Sequence, residues 1–225
     1  MELSDRTLNV LKNFSGINQN LIIRSGNTIR TISEARNVLG TVIVDEQFPQ
    51  DFGIYDLNEF IGVLGLVDTP RLKFRDEYVT VGDSVGRSKV KYFFSAEDTL
   101  TTSQKDITMP DPDVSFVLTN DTLNKLKRAA STLGHNEVSI TGKDGVLSLS
   151  VVDSQNSTSN TFSIDVDGEF KPDVNFNFII NIGNLKILPG DYEVQISSKL
   201  ITQFKNREVN VTYWIALEKS STFGV

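Results

Sequence analysis

Few residues in this chain have the chemistry and spacing of a catalytic or metal site. There is no cysteine and one histidine, His135, which excludes disulfides, thiolate nucleophiles and zinc sites built on cysteine or on several imidazoles. His135 follows a glycine typical of a helix C-terminus, so we predict a solvent-exposed turn there rather than a catalytic base. Asp165 and Asp167 flank one valine before Gly168, a pattern more typical of a solvated turn than of a metal site.

Phosphate-binding loops and dinucleotide-binding fingerprints are missing from the sequence. This scarcity of recognisable sites disfavours an enzyme.

The overall composition is that of a soluble globular protein with an acidic balance. Of the 225 residues, 39% are hydrophobic and 23% are charged, and the net charge is −7. No run approaches the roughly 18 apolar residues of a membrane span, and the first residues do not resemble a signal peptide, so we expect an intracellular protein. When the chain is divided after residue 108, each half is acidic. Cations that meet nucleic acid would therefore have to be concentrated on one surface.

A six-residue pattern occurs twice and indicates a duplication. TLNVLK at 7–12 returns as TLNKLK at 122–127, inside two segments with the apolar spacing of amphipathic helices, 4–14 and 119–134. Leu8, Leu11, Leu123 and Leu126 are predicted to face a core. Capping is predicted from Ser4 or Asp5 in the first helix, from Thr119 or Asn120 in the second, and from Gly134 at the end of the second.

Shorter helices are predicted over 55–67 and 181–190, and strands fill most of the remaining chain. The predicted strands cover 22–33 (two runs around a Gly-Asn turn), 38–44, 89–94, 137–141, 145–152, 160–166, 191–197 and 209–217. The order predicts an α+β fold of two similar domains, each with two helices packed on antiparallel sheets. The predicted domains are 1–108 and 109–225, joined by a polar linker of about 95–108 within the first.

The helix faces opposite the predicted core carry an excess of cations. At roughly 100° per residue, these faces hold Arg6 and Lys12 in the first helix, Lys125, Lys127 and Arg128 in the second, and Lys186 in the segment at 181–190. Lysines and arginines on helices are commonly just solvated. The predicted helix at 55–67 instead carries negative charge, from Asp56 and Glu59. Both lie at the start of this helix, where capping explains their presence.

Four segments resemble the sliding clamps of T4-like phages. They are LKNF, IYDLNEFIGVLGLV, FNFIINIGNLKILPGDYEV and YWIALEKSSTF, and the resemblance runs in order from about residue 3 to residue 223. It implies a closed, ring-forming trimer of two-domain clamp subunits that encircles duplex DNA, tethers the replicative polymerase, and is opened by an ATP-dependent clamp loader. It also implies a role in late transcription, the cytoplasm of the infected host cell as location, and a protein that is not an enzyme and has no catalytic residue, metal or cofactor. The six cations above then become candidate DNA-facing residues.

The resemblance further implies a pocket for short apolar peptides of partner proteins. In 209–217 the residues Tyr213, Ile215 and Leu217 alternate toward the core, so Trp214 should face the other way. Leu188, Pro189, Ile107 and Met109 are further candidates for the pocket wall. Two alternative functions remain: a non-enzymatic phage structural or interaction protein with a duplicated domain, and a hydrolase that uses Asp165 and Asp167.

Overall fold

The computed structural model describes residues 1–83, 85–102, 107–156 and 158–224. The chain divides into two compact units, Met1–Lys105 and Asp106–Val225. Within the described residues, no helix is long and apolar enough to cross a membrane. The domain boundary predicted after residue 108 stays a prediction.

The first unit combines two α-helices, α1 (Asp5–Ser15) and α2 (Leu57–Gly65), with short antiparallel strands. These strands are β1 (Leu21–Ile23), β2 (Gly26–Ile32), β3 (Val38–Phe48), β4 (Phe52–Ile54), β5 (Arg71–Phe74), β6 (Tyr78–Gly82) and β7 (Lys89–Phe93). They pair in the orders β3-β2-β1-β4 and β5-β6-β7. The reversal between β1 and β2 falls at 24–25, so the Gly-Asn pair predicted as the turn instead begins β2.

The second unit has one α-helix among its described residues, α3 (Asn120–Leu133). Its strands are β8 (Val114–Leu118), β9 (Glu137–Lys143), β10 (Val146–Val152), β11 (Phe162–Val166), β12 (Gly168–Phe170), β13 (Phe176–Asn181), β14 (Tyr192–Ser197), β15 (Ile201–Asn206), β16 (Val211–Ala216) and β17 (Thr222–Phe223). They pair in the orders β12-β8-β14-β15-β16 and β11-β10-β9-β13-β17. The predicted α+β class with antiparallel sheets is confirmed.

Both long helices begin with the same hydrogen-bonded turn. In α1 the Thr7 N–H donates to Ser4 Oγ at 3.2 Å, and Ser4 Oγ donates to Thr7 Oγ1 at 3.1 Å. In α3 the Thr122 N–H donates to Thr119 Oγ1 at 3.2 Å, and Thr119 Oγ1 donates to Thr122 Oγ1 at 3.0 Å. Thr7 and Thr122 are buried, so the threonine of each TLN-x-LK copy completes the N-terminal cap.

A carboxylate from elsewhere in the same unit accepts hydrogen bonds at each of these helix starts. Glu46 on β3 accepts from the Ser4 N–H at 2.5 Å and from Thr7 Oγ1 at 2.6 Å. Asp191, just before β14, accepts from the Asn120 N–H at 2.8 Å. A negative group at a helix N-terminus pairs with otherwise unsatisfied N–H groups and with the positive end of the helix dipole. Each helix is thereby fixed to one strand.

The apolar stripes of the two helices differ slightly from those predicted. Val10, Leu11 and Phe14 are buried in α1, whereas Leu8 is only half-buried, so the prediction that Leu8 faces the core is only partly correct. A Cβ on Gly40 of β3 would lie 3.0 Å from a ring carbon of Phe14. The glycine therefore allows α1 to approach this strand closely.

The stripe of α3 matches its prediction more closely. Leu123, Leu126 and Ala130 are buried, and Leu133 is half-buried. Gly134 ends α3 at φ 72°, as predicted.

The prediction of a helix over 181–190 is wrong. Only a single 3₁₀ turn, Ile182–Asn184, follows β13. Beyond it Leu185 and Ile187 are buried while Lys186 between them is exposed, which is the alternation of an extended chain. Pro189 disfavours helical geometry at the residue before it, so no further helical turn forms. The prediction of two helices in each half therefore holds only for the first half.

Part of the predicted linker is hydrogen bonded to the first unit. The Ser95 N–H donates to the Gly53 carbonyl at 3.0 Å. The Thr101 N–H donates to Asn20 Oδ1 at 3.1 Å, and Asn18 Nδ2 donates to the Thr101 carbonyl at 3.0 Å. The stretch 95–101 is therefore bound along this unit. Residues 103–106 of the linker lie outside the described residues.

The anchor at α1 makes a prediction about stability and pH. Burial raises the pKa of Glu46, but the hydrogen bonds from Ser4 and Thr7 outweigh it and hold the pKa below its ordinary value of 4.5. A carboxylate with a depressed folded-state pKa stabilises the fold above its unfolded pKa, and this contribution is lost as pH falls through the folded pKa. Glu46→Gln should cost about 1–2 kcal/mol at neutral pH and reduce the loss of stability on acidification.

Urea titrations of the wild type and the Glu46→Gln variant between about pH 7 and pH 4 would measure this difference. Glu34→Gln, which removes an exposed carboxylate, is the matched control for the change in charge. Equal pH dependence in the wild type and Glu46→Gln would contradict the anchoring role.

Candidate nucleic-acid interface and partner site

The outward face of α1 carries two exposed cations. Arg6 and Lys12 are exposed, as is Asn9 between them. Their exposure is the one predicted from helical spacing. It results from the hydrogen bonds at Ser4 and from the buried apolar stripe on the other side of the helix. The sole acidic residue in the first turn is Asp5, so the exposed face of α1 is weakly cationic.

The outward face of α3 is more cationic but partly neutralised. Arg128 and Asn124 are exposed, and Lys125 and Lys127 are half-buried. Lys125 Nζ lies 2.6 Å from a carboxylate oxygen of Asp121, one helical turn earlier. Exposed pairs at this spacing are weak and screened by salt, so Asp121 reduces the field of Lys125 without removing it.

A cleft at the C-terminal end of α3 brings Lys127 and Lys186 together. It has a volume of about 520 Å³ and is also lined by His135, Asn136 and Gly183. None of the described residues that line it is a carboxylate. Burial lowers the pKa of Lys127, since the charged ammonium loses hydration there. An anion that enters the cleft would offset this loss of hydration at Lys127.

Lys125 and Arg128 lie on a different flank of α3. They line a second cleft of about 440 Å³ with Thr161, Phe162 and Leu133. The structure therefore divides the three predicted cations of α3 between two clefts and joins one of them to Lys186. Helical spacing alone had not predicted that Lys127 would line one cleft while Lys125 and Arg128 line another.

The start of α2 is acidic because its cap is a carboxylate. Asp56 Oδ1 accepts from the N–H groups of Asn58 and Glu59 at 2.9 and 3.2 Å, and Glu59 itself is exposed. Burial raises the pKa of the neighbouring Tyr92 to about 12, and the charges of Glu59 and Asp56 act in the same direction. The predicted capping by Asp56 is confirmed, and this end of α2 repels anions.

Trp214 has the orientation predicted from strand alternation. Val211, Tyr213 and Ile215 of β16 are buried, whereas Trp214 is half-buried on the other face, opposite Gln203 of β15. Its indole Nε1 is buried, and no hydrogen-bond partner is found for it among the described residues. A buried donor without a partner loses free energy that an incoming acceptor would recover.

The other candidate pocket residues are not all close to Trp214. The Leu188 N–H donates to Tyr213 Oη at 3.3 Å, and Tyr192 Oη donates to the Leu188 carbonyl at 2.7 Å. These tyrosines lie on the core face of the sheet, so the main chain of Leu188 and the Trp214 side chain are on opposite faces. Pro189 is exposed, and Ile107 and Met109 are half-buried.

His135 and Asp165, whose side chains could in principle take part in catalysis, each make a hydrogen bond within the second unit. His135 directly follows the turn that ends α3, as predicted, but it is half-buried rather than fully exposed, with Nε2 2.7 Å from the Asn160 carbonyl. Asp165 lies within β11 rather than in a turn, and it accepts from Ser148 Oγ at 2.5 Å. Among the described residues, no group of three or more His, Cys, Asp or Glu side chains could hold a metal ion.

One basic surface was not predicted from the sequence. The strand pairing places Arg71 and Lys73 of β5 on the same face as Lys89 and Lys91 of β7. Phe93 lies on this face too, directly opposite Tyr78. The alternation in KVKYF is the signal that could have indicated this face.

Comparison with known proteins relates both units to one family. Residues 4–109 match the family model described as DNA polymerase processivity factor, and residues 115–219 match the model described as gp45 sliding clamp, C terminal. The sliding clamp of Vibrio phage KVP40 is 33% identical over 224 residues, covering 97% of this chain and 99% of that protein. The sliding clamp of Escherichia phage RB69 is 30% identical over 233 residues, covering 99% of each.

A solved structure shows the same fold at much lower identity. The proliferating cellular nuclear antigen from Entamoeba histolytica superposes with a TM-score of 0.67 at 13% identity, covering 94% of each chain. This likeness shows the fold alone. Together with the phage relatives and the two matching family models, it identifies the two units as clamp-type domains, and the chain belongs to the family of phage sliding clamps.

Proposed function

We propose that three copies of this chain form a closed ring that encircles duplex DNA and tethers the replicative DNA polymerase. The observation that carries the proposal is the concentration of cations on the outward faces of α1 and α3 in a chain of net charge −7. Membership of the sliding-clamp family supports a processivity factor, which is a binding protein rather than an enzyme. No residue in the proposed mechanism makes or breaks a covalent bond.

The physical requirement of a sliding clamp is a grip that does not depend on base sequence. Lysine and arginine contacts to phosphates supply such a grip, because they position a duplex without reading its bases. Long side chains can exchange one phosphate for the next at small cost. The acidic remainder of the chain disfavours binding of DNA elsewhere.

We propose Arg6, Lys12, Lys125, Lys127, Arg128 and Lys186 as the DNA-facing residues. Lys127 and Lys186 contact the same part of the DNA backbone, because they line one cleft. Lys125 contributes less, because Asp121 is already 2.6 Å from its ammonium. The acidic start of α2 contributes nothing favourable to DNA.

Partner proteins would bind through short apolar peptides near Trp214. The half-buried indole ring supplies apolar contact to an extended peptide. Ile107 and Met109 remain candidates for the same pocket, whereas Leu188 lies on the opposite face of the sheet from Trp214 and, with Pro189, is not proposed as part of it. We propose that the polymerase, an ATP-dependent clamp loader and late transcription factors use this site in the cytoplasm of the infected cell.

The direct test is primer extension on a circular single-stranded template with the cognate polymerase and loader. The protein should increase product length at limiting polymerase, because a tethered polymerase re-engages the primer before it diffuses away. Unchanged product length with an active polymerase and loader would overturn the proposed function in favour of a structural or interaction protein.

The two helices should not contribute equally to DNA contact. Replacing Lys125, Lys127 and Arg128 together by glutamine should weaken DNA retention more than replacing Arg6 and Lys12. Each lost phosphate contact should lower the slope of log affinity against log salt by about one. Retention on a primed circle at increasing salt measures the effect, and Lys171→Gln, an exposed lysine, is the control. An equal or reversed ranking would contradict this assignment.

Trp214→Ala should weaken binding of a peptide that copies the polymerase C-terminus by about tenfold or more, because it removes a central aromatic contact. Trp214→Phe keeps an aromatic ring but loses the N–H, so an intermediate loss would assign a role to the hydrogen bond. Gln203→Ala, on the same sheet face, is the matched control. Fluorescence titration of labelled peptide measures all three variants. Unchanged affinity in Trp214→Ala would remove Trp214 from the site.

A further inference from the structure

Basic residues are concentrated in the three-stranded sheet of the first unit as well as on the helices. Residues 71–93, which run from β5 through β7, hold six lysines and arginines against three aspartates and glutamates, a net charge of +3. The whole chain has a net charge of −7. The functions proposed for α1, α3 and Trp214 do not use this cationic sheet.

Four exposed cations lie at the corners of a rectangle on one face of the sheet. Because β6 lies between β5 and β7, cations on the two outer strands are about 10 Å apart, and cations two residues apart on one strand are about 7 Å apart. Arg71 and Lys89 lie on either side of Gly82, and Lys73 and Lys91 lie on either side of Thr80.

This basic face is the one that points away from α2. The alternate residues Leu72, Val79 and Val81 are buried on the other face. Tyr92, which is also buried there, makes an edge-to-face contact with Phe60 of α2 at a ring-centroid distance of 5.1 Å. The sheet is therefore held on the first unit by its apolar face, while its cations remain on the surface.

Little of the charge on the basic face is neutralised. Arg71 is paired with Glu2, with Nε 2.6 Å from the carboxylate. Among the described residues, Lys73, Lys89 and Lys91 form no ion pair with a carboxylate. Several like charges within about 10 Å create a positive potential that attracts polyanions.

Two aromatic rings lie at one end of the basic face. Phe93 keeps 62% of its surface exposed, and it lies directly opposite Tyr78 with ring centroids 5.4 Å apart. Lys91 Nζ lies 4.9 Å from the centroid of the Tyr78 ring. A nucleobase can stack on an exposed ring while lysines contact the phosphates beside it, which is how several antiparallel sheets bind single strands.

We propose that the basic face binds single-stranded nucleic acid, with phosphates at Lys73, Lys89 and Lys91 and a base stacked on Phe93. This function goes beyond the proposed ring and polymerase tether and does not depend on them. Binding would be independent of sequence, because every base offers a flat face for stacking. During primer extension the uncopied template is single stranded, so a protein on the adjacent duplex meets this ligand.

The aromatic rings favour a single strand over the two other polyanions that the charge could attract. In duplex DNA the bases are stacked on each other, so none is free to stack on Phe93. An acidic protein segment supplies carboxylates for the lysines but no base for the exposed ring. The proposed contact uses side chains on the sheet face and requires none of the main-chain groups at the edge of β7.

A short, linear, fluorescently labelled oligothymidine tests the proposal, because a closed ring cannot retain it by encirclement. Replacing Lys73, Lys89 and Lys91 together by glutamine should weaken binding about tenfold or more. It should also lower the slope of log affinity against log salt by about two, since each phosphate contact on a single strand contributes about 0.7. Lys143→Gln/Lys171→Gln/Lys199→Gln makes the same change in charge at exposed lysines of the second unit and should bind like the wild type.

A second pair of variants tests the stacking separately from the charge. Phe93→Ala should weaken binding about fivefold or more without changing the salt slope, because it removes a ring and no charge. Phe93→Tyr keeps a ring and should bind like the wild type. Fluorescence anisotropy at increasing salt measures every variant, circular dichroism confirms folding, and native mass spectrometry reports the assembly state.

The possible failures are distinct from one another and from failure of the ring. A wild type that does not bind oligothymidine at low salt, or a Lys73/Lys89/Lys91 variant that binds like its control, would overturn the proposal. Equal affinity for a duplex of the same length, with no effect of Phe93→Ala, would show a general attraction for polyanions instead. Displacement of oligothymidine by polyglutamate at equal charge, again without an effect of Phe93→Ala, would assign the face to an acidic protein segment. Primer extension tests the ring independently of all these results.

Discussion

The anchoring of each long helix at its N-terminus is the constraint on which the rest of the molecule depends. A helix leaves its first N–H groups without intrahelical partners, and here a hydroxyl pair and a carboxylate satisfy part of them at both starts. Ser4 with Glu46 does this for α1, and Thr119 with Asp191 does it for α3. Because each carboxylate is attached to or next to a strand, the helix cannot rotate without breaking these bonds. The buried stripe and the opposite cationic face are thereby fixed together.

This anchor lets an acidic chain present positive charge where it is useful. Carboxylates lie at helix starts, where they are stabilised, while the cations lie on the side of each helix opposite the buried stripe. Lys127 is the clearest case, because burial against the end of α3 already disfavours its charged form. No carboxylate is among the described residues that line its cleft. A phosphate that enters the cleft beside Lys186 would stabilise the charged form of Lys127 and so remove this cost. Such an arrangement suits a site that binds the DNA backbone.

Local signals in the sequence were sufficient for much of the fold. Caps at Ser4, Thr119 and Gly134 and the outward turn of Trp214 follow from chemistry within a few residues, and all four agree with the structure. The prediction of a helix over 181–190 was wrong because the leucines and isoleucines of this segment fit the spacing of a helix as well as the alternation of an extended chain. Only the sheet to which β13 belongs decides between these two structures. The pairing of Lys127 with Lys186 could not be predicted, since it joins residues far apart in the chain. The separation of Leu188 from Trp214 depends in the same way on which face of a sheet each residue meets.

The two copies of the duplicated pattern have diverged in a direction that bears on sliding. In the first unit the second helix remains and starts with Asp56 and Glu59, whereas in the second unit the equivalent segment is extended and carries Lys186 beside Lys127. We therefore expect the stronger cationic contact with DNA in one unit of each subunit. In the proposed ring, this gives three strong positions separated by three weaker ones. Fewer strong contacts need to be broken at once when the duplex advances, while electrostatic attraction still retains it. The unequal charge of the two units thus favours weak, mobile contact with DNA. Tight binding is not needed, because a ring closed around the duplex retains it.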